Sequence, residues 1–275
     1  MKMLSGDSGS SPEWGRYVLD NAAPQTPARF AALSDLYDET SIRHLRRIGV
    51  DRGWRCWEIG AGSGSISQWL CSQVGPNGSV LATDIDTRFL GQSVHTNLTV
   101  RRHDIALDPL PDQAFDLVHA RLVLVHLPER EKVLDRMIAA LKPGGWLLTE
   151  EFDSLSQLPA PDRYPCEAAL KTAVAFRRVM TERGVDPGFG RALAGLLRTR
   201  GLESISAEGR MLMWPGGSVG TDLIKANFWQ LRDAMLASDS ITASEFEVDL
   251  ARMDQPEFMM PSPVMWSVAA RRPEA

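Results

Sequence analysis

The sequence predicts an α/β protein: a doubly wound, mostly parallel sheet with a helical cap and helical lid insertions. Three observations predict it. Short apolar, β-branched runs alternate with segments of helical period between residues 50 and 150. A glycine-rich turn, Gly60-Ala61-Gly62-Ser63-Gly64, lies between the first such run and the first such helix. At 275 residues the chain is long for one minimal domain and short for two, which fits a single core with insertions.

Residues 1–12 are polar and rich in Gly and Ser, and are expected to be disordered. Residues 13–50 read as an N-terminal helical cap. Phe30, Leu33, Leu36 and Tyr37, then Ile42, Leu45 and Ile48, fall at three- and four-residue steps. Asp51-Arg52-Gly53 punctuates the chain, and the core follows over residues 51–153. Residues 55–59 read as a buried strand, and 65–74 as a helix ended by Gly75-Pro76-Asn77-Gly78. Further strands are expected at 79–83, 98–102 and 115–119. Pro128 suits the first turn of the next helix, and Glu129 and Glu131 suit the positive end of its dipole. Val133, Leu134, Met137, Ile138 and Leu141 form its apolar face. Pro143-Gly144-Gly145 stops it, before a fifth strand at 146–149.

Residues 154–275 read as the remainder of the core, with lid insertions at about 154–187 and 215–258. Helices are expected at 165–184, 190–201 and 222–237, and strands at 204–214 and 263–270. Met and aromatic residues in the lids read first as ordinary core.

Composition narrows the function classes. Hydrophobic residues make up 44% and charged residues 24%, ordinary for a globular protein. The net charge of −5 and the lack of a long Lys/Arg run disfavour a nucleic-acid partner. Cys56, Cys71 and Cys166 are odd in number and widely scattered, so neither a disulfide framework nor a metal site is expected. No signal-peptide pattern opens the chain and no apolar run has membrane-spanning length. A cytoplasmic protein without a membrane partner is the simplest expectation.

In a parallel sheet, ligands bind beyond the carboxyl ends of the strands. The sharpest signal there is Trp57-Glu58-Ile59-Gly60-Ala61-Gly62-Ser63-Gly64-Ser65. Glycines allow a tight turn and close approach to a ligand. A dinucleotide fingerprint would place a third glycine where Ser65 stands. Glu58, two residues before the first glycine, would not help hold a pyrophosphate but suits a ligand with an ammonium group. Asp84-Ile85-Asp86 follows the second strand, where a carboxylate can accept from ribose hydroxyls. Asp86 also suits a helix N-cap. Asp104-Ile105 follows the third strand. Phe115-Asp116-Leu117-Val118-His119-Ala120-Arg121 runs on to Val125-His126-Leu127-Pro128.

Together these motifs, with Lys142-Pro143-Gly144-Gly145-Trp146, resemble the class I, Rossmann-like S-adenosylmethionine-dependent methyltransferases of the small-molecule type. The resemblance covers about residues 50–152 in correct order. It implies S-adenosylmethionine as cofactor, with Gly60, Ala61 and Gly62 against its methionyl part and Glu58 orienting the site. It further implies Asp84 and Ile85 at the ribose, Asp104 and Ile105 at the adenine, and His119 beside the cofactor. The implied activity is methyl transfer to an oxygen, nitrogen or carbon of a small-molecule acceptor. An NAD-linked oxidoreductase, or an S-adenosylmethionine-binding protein without methyl transfer, is the alternative.

Methyl transfer requires alignment, exclusion of water and sometimes a base. His119, oriented by Glu150 or Glu151 after the neighbouring strand, is the candidate base, and Arg121 a candidate for positioning an anionic acceptor. Its pairing with an acid is the plainer expectation. The acids after the fifth strand would suit a cationic acceptor instead. Tyr17, Arg29 and Phe30 of the cap are candidates to touch cofactor or substrate, and His126 reads as structural.

Overall fold

The computed structural model describes residues 19, 21, 23–91, 94–111, 115–156 and 170–274. Its strands are β1 (Arg55–Ile59), β2 (Ser79–Asp84), β3 (Leu98–Arg102), β4 (Phe115–Arg121), β5 (Leu141–Asp153), β6 (Glu203–Arg210), β7 (Met213–Pro215), β8 (Met259–Pro261) and β9 (Val264–Arg271). Its helices are α1 (Thr26–Ile48), α2 (Ser65–Val74), α3 (Arg130–Ala139), α4 (Lys171–Glu182), α5 (Phe189–Thr199), α6 (Val219–Ala237) and α7 (Ala243–Arg252).

The main sheet runs β3-β2-β1-β4-β5-β9-β6. β1 to β5 are mutually parallel where they pair, and β9 is antiparallel to both β5 and β6. The order reverses between β1 and β4. Connections leave these neighbours in opposite directions, which opens a crevice at their carboxyl ends.

Strand pleating sends alternate residues to opposite faces. Cys56, Leu117 and Leu148 pack with Leu45 of α1 and Leu70 of α2. Trp57, Val118 and Leu147 pack on the other face with Leu134 of α3 and Leu193 of α5. A third core unites α4, α6 and α7 with the β7–β8 pair, around Phe228, Phe246, Met235 and Trp214. Val125 and Met265 belong to it, so it stands beyond the carboxyl ends of β4 and β5.

The expected elements differ from the structure in several places, β8 (Met259–Pro261) among them. The helix expected from Pro128 starts at Arg130, with Glu129 as its N-cap. The fifth strand begins at Leu141, because Leu141 already pairs with Phe115 across a bulge. The strand expected at 204–214 is split in two. Pairing to β9 ends at Arg210↔Met265, and hydrogen bonds between Leu212 and Ser262 redirect the chain into the β7–β8 pair. α7 was not anticipated, although Thr242 and Glu245 form a capping box visible as a Thr-x-x-Glu spacing. Residues 1–12 and Cys166 lie outside the described residues. Among the described residues no helix is long and apolar enough to cross a membrane.

Gly190 sits where α5 meets β5. A Cβ there would stand 2.5 Å from the Glu151 carbonyl oxygen and 3.0 Å from Phe152 backbone atoms. Backbone in a central strand cannot yield cheaply, so Gly190→Ala is expected to cost about 1–3 kcal/mol. Urea unfolding reads this as a lowered midpoint. An unchanged midpoint would mean that α5 slides freely on the sheet.

Candidate active site

A buried row of polar side chains crosses the sheet on the α1 face. Glu58 of β1 is the register partner of His119 of β4, and Glu150 of β5 is the partner of Ser267 of β9. The His119 ring is fully buried. Its Nε2 lies 3.2 Å from Glu150 Oε2, and its Nδ1 lies 3.7 Å from Glu58 Oε1, a charge contact rather than a hydrogen bond. Ser267 donates to Glu150 Oε1 at 2.5 Å, and Ser41 of α1 donates to Glu150 Oε2. Ser41 in turn accepts from Arg121 Nη1 at 3.0 Å, and Arg121 Nη2 donates to Asp38 Oδ1 at 2.8 Å.

Burial alone would keep His119 neutral, but the carboxylates of Glu150 and Glu58 outweigh it and hold the ring at a pKa of about 9. Burial would likewise raise Glu150. The hydrogen bond and charge of His119, with Arg121 and Ser267, instead hold it at about 2. Glu151 points to the other face. Its carboxylate accepts from the backbone N–H groups of Val123, Leu124 and Val125 at 3.1, 2.7 and 3.2 Å. Burial pushes this carboxyl up to about 8, and the three amides restrain the rise.

Above the row, at the carboxyl ends of β1, β2 and β4, lies a cavity of about 180 Å³. Glu58, Gly60, Ala61 and Gly62 line one side, and Asp84, Ile85, Asp104 and Ile105 another. Gly60 has φ +67°, and a Cβ there would fall 2.4 Å from Val123 Cγ2. Only glycine lets the loop lie this close to the chain that leaves β4. Asp84 Oδ2 accepts from Gly62 N at 2.9 Å, and its Oδ1 from Asp86 N at 3.0 Å. Burial raises the Asp84 carboxyl, against those amides. Asp86 caps the short turn after β2 by accepting from Arg88 N. Asp104 Oδ1 holds its own turn through Ala106 N at 2.8 Å. From α1, Arg29, Phe30, Leu33 and Ser34 close the cavity.

A second cavity of about 150 Å³ adjoins the first, and Arg29, Leu33 and Leu122 line both. Phe176, Met180, Trp214, Phe228 and Met260 make its walls largely apolar. His126 lines it too. Burial, with Arg29 and Arg130 nearby, pushes that imidazole down to about 3, so the ring is uncharged.

The candidates from sequence therefore divide. The cofactor set of Glu58, Gly60, Ala61, Gly62, Asp84, Ile85, Asp104 and Ile105 surrounds one cavity, and Arg29 and Phe30 join it. Arg121 borders it too, but its guanidinium is engaged by Asp38 and Ser41. His119, Glu150 and Glu151 line neither cavity. Their strand positions face the sheet's two packed surfaces, so expecting them against the reacting atoms is corrected: they brace the site from beneath. By the same geometry they offer nothing to a cationic acceptor. His126, read as structural, borders the second cavity. Tyr17 lies outside the described residues. The second cavity was missed because its walls come from α4, α6, β7 and β8, whose apolar residues carry no motif.

A cofactor with an ammonium-bearing part and a ribose fits the first cavity, which Glu58, Asp84 and Asp104 line. A pyrophosphate at the glycine loop would meet the Glu58 carboxylate.

The family model described as a methyltransferase domain matches residues 57–147. Methyltransferase str3 of Strobilurus tenacellus is 34% identical over 192 residues, covering 66% of this chain and 68% of that protein. The ubiquinone/menaquinone biosynthesis C-methyltransferase UbiE of Ectopseudomonas mendocina (strain ymp) is 35% identical over 139 residues. That match covers 44% of this chain and 54% of UbiE, about half of the relative's length. The structure of Haemonchus contortus phosphoethanolamine N-methyltransferase 2, in complex with phosphomonomethylethanolamine and S-adenosylhomocysteine, superposes with a TM-score of 0.59. Its identity is 17%, over 94% of this chain and 60% of that chain, and the likeness shows the shared fold.

The His119 pair sets a pH dependence. The folded His119 value of about 9 exceeds the unfolded 6.5, so its contribution is full below 6.5 and is lost as pH rises through 9. Glu150, held at about 2 against 4.5, contributes fully above 4.5 and less as pH falls toward 2. His119→Gln is therefore expected to cost roughly 3 kcal/mol near pH 6, by leaving buried carboxylates without their cation. Thermal unfolding at a series of pH values should show this penalty shrinking above pH 9. A penalty that stays constant would mean that the ring carries no proton.

Proposed function

The chain belongs to the class I S-adenosylmethionine-dependent methyltransferases, and from that premise we propose that it methylates a small molecule held in the second cavity. The observation that carries this reading is the contact between the two cavities through Arg29, Leu33 and Leu122. A donor in the first cavity and an acceptor in the second would meet across that boundary. S-adenosylmethionine is the cofactor, and it supplies a methyl group on a positively charged sulfur that leaves as a neutral thioether.

The residues of the chain bind, orient and exclude water. Glu58 receives the cofactor's ammonium side, and Asp84 and Asp104 take its ribose and adenine. Gly60 and Gly62 keep the backbone close enough for this. Leu33 and Leu122 give the boundary apolar surface beside Arg29, which helps exclude water from the line of transfer. His126 contributes an uncharged hydrogen-bonding ring on the acceptor side. Arg121, engaged by Asp38, tethers α1 to the end of β4. The acceptor cavity is small and walled by helices α4 and α6, which suits a free small molecule better than a base within a nucleic acid.

Calorimetric titration with S-adenosylmethionine, S-adenosylhomocysteine and NAD in parallel tests the cofactor side. The first two are expected to bind. Asp84→Ala, which removes a ribose acceptor and the anchor of Gly62, is expected to weaken them by on the order of tenfold or more. Binding of NAD alone would overturn the assignment. Transfer of labelled methyl from the cofactor to members of a small-molecule panel tests the acceptor side, and labelling confined to RNA or protein would refute it.

A further inference from the structure

The lining of the second cavity includes guanidinium groups and, among the described residues, no carboxylate. Other half-buried arginines have partners: Arg121 meets Asp38, Arg200 meets Glu131 and Asp135, and Arg136 and Arg272 donate to backbone carbonyls. Arg177 of α4 does not. It is half-buried and lines the second cavity, and its guanidinium has no hydrogen bond or ion pair among the described residues. Its neighbour Arg178, on the outer side of the same helix, reaches Glu182 and Ser240 instead. Arg29 brings a second guanidinium to the cavity lining, and no Asp or Glu among the described residues lines it.

A guanidinium facing an apolar space gives up hydration, and no carboxylate of this wall among the described residues returns it. A ligand that brings a carboxylate restores two parallel hydrogen bonds and the opposite charge at once. The remaining walls, Phe176, Met180, Trp214, Phe228 and Met260, offer only apolar contact, which asks for an aromatic or aliphatic body. His126 adds no charge of either sign. An ammonium-bearing acceptor would face the Arg177 cation and, among the described residues, no carboxylate in the lining.

We propose that the methyl acceptor is an apolar organic anion, an aromatic or aliphatic body bearing one carboxylate or comparably acidic oxygen, and that Arg177 recognises its charge. This rests on reading the second cavity as the acceptor site. It narrows the acceptor to one charge class and gives specificity to a residue that belongs to no cofactor motif.

The test is calorimetric titration of the full chain, saturated with S-adenosylhomocysteine, with matched probes. Cinnamate, cinnamyl alcohol and cinnamylamine form one set; decanoate, decanol and decylamine form another. At least one acid is expected to bind on the order of tenfold or more tighter than its alcohol and amine. Arg177→Met is expected to erase that preference, and Arg177→Lys to keep part of it. Both variants should retain S-adenosylhomocysteine affinity, which reports that the fold and the first cavity are intact. If neither acid outbinds its partners in the native protein, or if the preference survives in Arg177→Met, the proposal falls. Failure of the native protein to bind S-adenosylhomocysteine would instead overturn the reading of the first cavity.

Discussion

The architecture depends on one buried ion contact, His119 between Glu58 and Glu150. Two carboxylates beneath the central strands would be untenable alone, because each would be stripped of water with no compensating charge. A protonated imidazole between them changes the balance, and Ser41 and Ser267 satisfy the remaining oxygens of Glu150. The result spans β1, β4, β5 and β9 at the depth where the sheet meets α1. Through Ser41 and Arg121 it seats that helix. Further along, Arg43 and Arg47 of α1 grip Glu208 of β6, so the helix is held at a second point.

That seating matters because α1 supplies walls to both cavities. Phe30 stands over the glycine loop, with its ring 3.5 Å from where a Gly62 Cβ would lie. Leu33 and Arg29 reach the boundary between the two spaces. A shift of α1 would therefore open the first cavity to water and misalign it with the second. Glu151 does parallel work on the opposite face. Its three amide contacts fix the turn after β4, and that turn provides Leu122 and Val123 to the first cavity and Val125 and His126 to the second. Adjacent acids in one strand thus brace opposite sides of the crevice, because pleating sends them to opposite faces.

The two cavities differ in chemistry as well as position. The first is lined by carboxylates on strand ends and by backbone that only glycine permits. The second is lined by side chains from α4, α6 and the β7–β8 pair, with guanidinium groups as its charged members among the described residues. With its second cavity walled by elements separate from the strand ends, the fold can vary that wall without disturbing them.

The sequence by itself determined the alternation of strands and helices as far as β5 and the strand-end residues that line the first cavity. The reason is locality: each of Gly60, Asp84 and Asp104 does its work within a few residues of a strand end, and strand ends are legible from hydrophobic period and glycine punctuation. Tertiary structure alone decided the roles of His119, Glu150 and Glu151. Whether such a side chain faces a cavity or a packed helix depends on which pleat it occupies and on what covers that face, and neither is written in local spacing. The same holds for Arg177 and His126. Each becomes part of a site only because helices distant in sequence close around the end of the sheet, and because burial there decides which charge is left without a partner.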